Sequence, residues 1–142
     1  MIKQKSWGDC GVAVLANAMC DTYENTLKRL NGRDTGLTMQ EMCAAILGKF
    51  NSIPIYVPLI GFNLESGIHD ACTLTFDAAH KNIMSVQGRR AIYQVKTKSG
   101  MLHFIYFDGQ KLFDPSTRAP ENPVFSDYVY VVDAIFLLDV QH

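Results

Sequence analysis

Long apolar runs are missing from this sequence. None approaches the roughly 18 residues that a membrane-spanning helix requires, so no membrane partner is expected. Surplus charge is missing too. Thirteen Lys and Arg stand against fourteen Asp and Glu, a formal net charge of -1, which gives no reason to expect a nucleic acid partner. The opening Met-Ile-Lys-Gln-Lys-Ser-Trp is positive but has no apolar core behind it, and does not read as a signal peptide. Cys-x-x-Cys pairs are absent. Cys10, Cys20, Cys43 and Cys72 are widely spaced, which argues against a zinc ribbon or a disulfide framework and for reduced thiols in a cytoplasm. His69 with Cys72, and Asp77 with His80, have helical spacing, but such pairs alone do not make a metal site. No metal or cofactor is expected. Repeats, low-complexity tracts and Pro/Gly/Ser-rich linkers are also lacking, so residues 1–142 read as one domain.

What is present is core-forming material. Hydrophobic residues make up 48% of the chain and charged residues 19%, the balance of a compact globular domain. From Cys10 to Cys20 the residues are apolar nearly all round, Asn17 being the polar exception, which predicts a helix buried in the core. Thr22 to Leu30 reads as a second helix stopped near Asn31-Gly32. Thr38-Met39-Gln40-Glu41 has the form of a capping box and opens a third, running to about Phe50. Ile53 to Val57 is β-like, but Pro54 and Pro58 demote it to an edge or a connection. Residues 59–76 carry no clear pattern, and Asp77 starts a short helix that Gly88 ends. Strands follow at Ala91–Thr97, Met101–Phe107, Lys111–Asp114 and Tyr128–Val140, the last broken or bent. Helices first and strands after predict an α+β domain with segregated layers.

Cys10 stands where the buried helix begins, after the loop-like Ser6-Trp7-Gly8-Asp9, with Asp9 as N-cap. A helix N-terminus favours the thiolate, the form of cysteine that attacks carbonyl carbon. Asp9 would oppose this if its carboxylate faced the sulfur. Cysteine is more often a small buried hydrophobe, and Cys20, Cys43 and Cys72 are read that way. Gln4, six residues before Cys10, separates this cysteine from the others. Its side-chain amide can turn back and, with the Cys10 backbone N–H, donate to the oxyanion that forms when a thiolate adds to a carbonyl.

His103 lies in the strand-like Met-Leu-His-Phe-Ile-Tyr-Phe, and Asp108-Gly109 follows as a hairpin signal for a two-residue type I′ turn. Such a turn pairs Phe107 with Gln110 and places His103 directly opposite Asp114, on one face of the sheet. That face is expected to point at the start of the cysteine helix. A carboxylate so placed accepts the imidazole N–H, fixes the tautomer and leaves the other ring nitrogen for a thiol. Pro115 ends the ladder directly after Asp114. A four-residue loop keeps this register and a three-residue loop breaks it. His69, His80 and His142 have no acidic partner at a comparable position and read as surface or chain-end residues.

The Gln4-x5-Cys10-Gly11-x-Ala13 string opening a buried helix, then His103-Phe104 and Asp114-Pro115, resembles the bacteriocin-leader-processing peptidases and their C39-like relatives among the papain-like cysteine peptidases. The resemblance covers most of the chain, but only those three segments are specific to it. It implies a helical lobe carrying the cysteine, packed on a C-terminal antiparallel sheet that carries His and Asp. It also implies a peptide or protein substrate, with Cys10 as nucleophile, His103 as base, Asp114 as orienter and Gln4 as oxyanion donor. SUMO-deconjugating proteases carry a similar Gln-x5-Cys-Gly string, but there it follows the His and Asp. Family members often have Gly before the histidine, where this chain has Leu102. Acyl transfer by the same residues, or a silent papain-like binding or assembly module, are the alternatives to peptide or isopeptide hydrolysis.

Overall fold

A run of small and branched apolar residues interrupted by one amide forms the first helix, α1 (Cys10–Ala18), in a computed structural model that describes residues 1–50, 52–58, 89–124 and 127–139. Seven of its nine residues are buried, as the all-round apolar pattern requires. Its polar exception is used. Asn17 Oδ1 accepts from the Ile2 N–H at 2.8 Å, and Asn17 Nδ2 donates to the Ile2 carbonyl at 2.9 Å, so the segment before α1 is tied back onto the helix.

The helix ends in a Schellman arrangement: Cys20 N–H donates to Asn17 O and Asp21 N–H to Ala16 O. The motif needs a left-handed residue just past the helix, and Cys20 fills that place at φ 54°. Cys20 is therefore exposed rather than packed, a correction to its expected burial, because chain reversal there turns the side chain outward. The second helix, α2 (Tyr23–Arg29), is capped by Thr22 and closed in the same way through Asn31 and Gly32. The third, α3 (Met39–Lys49), starts at the capping box foreseen for Thr38 and Glu41, with both reciprocal bonds made.

Among the described residues five antiparallel strands follow: β1 (Ser52–Pro58), β2 (Ala91–Thr97), β3 (Leu102–Phe107), β4 (Leu112–Phe113) and β5 (Tyr128–Asp139), in the spatial order β1-β5-β2-β3-β4. The fold is α+β. Pro54 and Pro58 do lie in an edge strand, where a missing N–H costs no ladder bond. β5 bends by two register shifts against β2, between Gln94 and Val95 and between Lys96 and Thr97, each a bulge that adds local twist. One face of the sheet packs Ile92, Phe104, Tyr106, Ile135 and Leu137 against Val14, Leu15 and Ala18 of α1 and Met39, Met42 and Ile46 of α3. The other face buries Tyr93, Val95, Ile105, Phe107, Tyr128 and Val131. The helix expected from Asp77, and His69, Cys72, His80 and His142, fall outside the described residues.

The hairpin after β3 differs from expectation. Phe107 pairs with Leu112 and Tyr106 with Phe113, so the loop is the four residues Asp108–Lys111; contrary to the expectation that a four-residue loop keeps the register, this one is set one residue later in the chain and displaces the pairing by two. Asp108 decides this. Its Oδ1 accepts from the N–H groups of Gln110 and Lys111 at 2.8 and 2.7 Å, and its own N–H donates to Lys111 O at 3.0 Å. A type I′ turn needs positive φ at both central residues, and here Gly109 alone has it, at 103°. The Asp side chain satisfies the turn instead, as it does wherever it mimics backbone.

Because a side chain at positive φ is strained, Cys20→Gly is expected to stabilise the protein by roughly 1 kcal/mol. The urea midpoint should rise with an unchanged slope; a lowered midpoint would mean that the Cys20 side chain contributes contacts of its own.

Candidate active site

The displaced register still leaves His103 and Asp114 on one face, since a shift of two preserves parity. Asp114 stands diagonally from His103, one residue past the end of β4, within reach of an imidazole. His103 Nε2 and Asp114 Oδ1 are 2.6 Å apart, with side chains 13% and 5% exposed. The opposed pairing expected from a two-residue turn is thus corrected to a diagonal one, while the contact itself is made. His103 pairs with Val95, which belongs to the layer away from the helices. Cys10 packs against the helix-side layer. Cys10 and His103 nevertheless line one cleft, together with residues of the β2–β3 turn.

Asp114 is held from three sides. Its Oδ1 also accepts from the Ser116 N–H at 2.9 Å, and its Oδ2 accepts from the Tyr128 hydroxyl at 2.5 Å. Burial opposes its charge, but the hydrogen bond and charge of His103, with the Tyr128 and Ser116 donors, hold the carboxyl below its ordinary value. For His103 burial again disfavours the charged form. The Asp114 carboxylate, with a smaller contribution from the nearby Cys10 side chain, outweighs it and raises the imidazole from 6.5 to about 9. With Nε2 committed to Asp114, Nδ1 is the ring nitrogen left for another partner.

Cys10 is the first residue of α1 and half-buried. Asp9 occupies the N-cap position without capping: its side chain makes no bond to the helix N–H groups. Its carboxylate instead accepts from the N–H groups of Lys5 and Ser6, at 2.8 and 3.0 Å, and from the Tyr23 hydroxyl at 2.5 Å. These bonds curl residues 5–8 into the loop ahead of the cysteine and occupy the charge that would have opposed a thiolate. The first N–H groups of a helix have no carbonyl one turn back, so the start of α1 presents bare donors. Gly11 lets that start approach the next loop: a Cβ there would sit 3.0 Å from Leu37 Cδ1.

Gln4 lines the same cleft, of about 840 Å³, as Cys10, His103 and Asp114. All four residues singled out in the sequence are therefore brought together. The Gln4 amide is used differently from expectation. Its Nε2 donates to Ser6 O at 2.9 Å and, over a longer 3.4 Å, to Trp7 O, while Oε1 is buried without a partner among the described residues.

Sequence reading missed the parts that fasten this site. Lys3 Nζ donates to the carbonyls of Asp114 and Ser116 at 2.9 and 3.2 Å, and the Gln4 N–H donates to Pro115 O at 2.9 Å. Residues 2–4 thus strap the Asp114 segment to the base of α1. Neither Lys3 nor Tyr128 carries a local sequence signal of this role. Among the described residues no cluster of three metal-ligating side chains forms, and no helix is long and apolar enough to cross a membrane. Compared with family models, curated proteins and solved structures, the chain matches none.

The two shifts set a pH window for stability. The raised His103 contributes fully below 6.5 and loses its contribution as pH climbs through about 9. The lowered Asp114 contributes fully above 3.8 and loses its contribution as pH falls through its folded value. Wild type should exceed Asp114→Asn in urea stability most between pH 3.8 and 6.5. NMR titration of His103 should give a midpoint near 9 that falls in Asp114→Asn; a wild-type midpoint at 6.5 would contradict the assignment.

Proposed function

We propose that the chain is a papain-like cysteine hydrolase that cleaves a peptide or isopeptide bond through a thioester intermediate. The observation that carries this reading is the His103 ring, hydrogen-bonded to the buried Asp114 carboxylate and lining the same cleft as a cysteine at an uncapped helix start. Each part has a place in acyl transfer to sulfur. Cys10 gives its thiol proton to His103 and its Sγ adds to the carbonyl carbon, and the C=O π electrons move onto oxygen, where the Cys10 N–H and Gln4 Nε2 receive the charge. The tetrahedral adduct collapses as the C–N bond breaks, and the His103 imidazolium gives its proton to the departing amine. Water then enters. His103 takes its proton as the hydroxyl oxygen attacks the thioester carbon, and the thiolate leaves. Asp114 holds the tautomer throughout and stabilises the imidazolium.

The cleft is lined by the β2–β3 turn together with Cys10 and His103, a surface that suits a chain-like substrate lying across Cys10. A silent binding module of the same fold is the outcome that a failed test would establish.

In a Cys20→Gly background, brief treatment with iodoacetamide and mass spectrometry should find rapid single labelling at Cys10, abolished in His103→Ala. Uniformly slow labelling would replace the hydrolase reading with the binding module. Against a panel of peptide and ubiquitin-like substrates, Cys10→Ala should have no turnover. Gln4→Ala should lose ~10²–10³-fold in kcat with KM little changed. Intact turnover in Gln4→Ala would remove the amide from the oxyanion site and leave the Cys–His pair standing.

A further inference from the structure

Two apolar features rim the cleft, one beside each reacting residue. Trp7, the chain's single Trp, precedes Cys10 by three positions and is 81% exposed, more than any other large apolar side chain among the described residues. Leu102 directly precedes His103 and is 55% exposed, with Met101 beside it at 42%. All three line the same cleft as Cys10 and His103. Apolar groups gathered at a concave site and left in water mark a surface that is covered when the site is filled.

The charges of the rim are uneven. Lys98 in the β2–β3 turn and Arg118 in the loop after Asp114 line the cleft, both exposed, and neither has an ion pair among the described residues. Lys5 is taken by Glu24 at 2.7 Å, and Asp34 is the one exposed carboxylate of the lining. The backbone adds a third feature. β3 pairs with β4 at Tyr106 and Phe107 alone, so Leu102 and His103 continue past the last rung with no strand beside them on that side among the described residues. Such an edge accepts an extended peptide by main-chain hydrogen bonds.

We propose that the ligand of this cleft is an extended polypeptide segment with a bulky apolar side chain next to the attacked carbonyl and an acidic side chain farther along. The apolar side chain sits between Trp7 and the Met101-Leu102 pair, and the acidic one lies over Lys98 and Arg118. The position of the attacked carbonyl rests on the hydrolase reading; recognition of the segment does not.

Trp7 provides its own probe, because no other indole contributes to the emission. Cys10→Ala, which binds without turnover, is titrated with short peptides that vary a central residue between Phe, Leu and Gly and a flanking residue between Glu and Lys. Phe and Leu peptides with Glu should shift Trp7 emission to the blue, saturably, and bind at least about tenfold tighter than Gly-Gly or Lys-flanked peptides. Leu102→Ser, an exposed change that leaves the core intact, should weaken the Phe and Leu peptides by about tenfold while the Gly-Gly peptide is unaffected. The Lys98→Glu, Arg118→Glu double variant should reverse the preference for Glu over Lys, and added salt should reduce it. Equal binding of the Gly-Gly peptide, saturable binding by calorimetry with unmoved Trp7 emission, or no binding by any member of the panel would overturn the proposal. Selective binding with no turnover by wild type would overturn the hydrolase reading alone. Turnover without apolar preference would overturn only the specificity argued here.

Discussion

The Asp114 carboxylate is the interaction on which the site depends. Taking an ionised carboxylate out of water costs several kcal/mol unless partners replace the lost solvent, and Asp114 is 4% exposed. His103, the Ser116 N–H and the Tyr128 hydroxyl replace it, each from a different stretch of chain. With its partners in place, the carboxylate keeps its charge and raises the imidazole. Remove the cation and the same burial acts the other way. Asp133, in the middle of β5, is also buried, but its bonded partner among the described residues is the neutral Tyr56 hydroxyl, at 2.7 Å, and burial pushes its carboxyl up. The two buried aspartates thus have opposite shifts, because Asp114 has His103 and two further donors around it whereas Asp133 has a single neutral donor to set against its burial.

Around that carboxylate the chain is fastened by contacts that have little to do with a hydrophobic core. Asn17 grips the backbone of Ile2, Lys3 grips the carbonyls on either side of Pro115, and Gln4 bonds the Pro115 carbonyl itself. The first residues of the chain therefore bridge the helix that carries Cys10 and the loop that carries Asp114. A cysteine on one layer and a His–Asp pair on the other would otherwise be related only through packing, which tolerates small displacements. Polar bonds do not: a misplacement of 1 Å costs them most of their energy and costs catalysis as much again. Asp9 acts likewise on the other side of Cys10, spending its carboxylate on the loop instead of the helix.

Much of the architecture was legible because it is written in contiguous residues. The Thr38 capping box, the stop at Asn31-Gly32, the edge strand marked by Pro54 and Pro58, and β2 with the bounds Ala91–Thr97 all follow from bonds or exclusions within a few positions. The same-face relation of His103 and Asp114 was legible for a related reason. The side-chain period of a strand is two, and Asp108 changed the pairing by two, so the contact survived a wrong turn type. What Asp108-Gly109 did not disclose was the competition between positive φ and a side chain that bonds the backbone itself.

Taken alone, then, the residues determined which groups meet along the sheet edge and where the cysteine helix begins, since capping, turns and alternation act over a handful of positions. Only the tertiary structure decided that Cys20 faces water, that the Gln4 amide grips its own loop, and that Tyr128 and Lys3 complete the site. Lys3 and Asp114 are 111 residues apart, and a lysine that will bond a distant carbonyl looks the same in sequence as one that will sit in solvent. Nothing in the neighbouring residues encodes that choice; the folding of the sheet against α1 makes it.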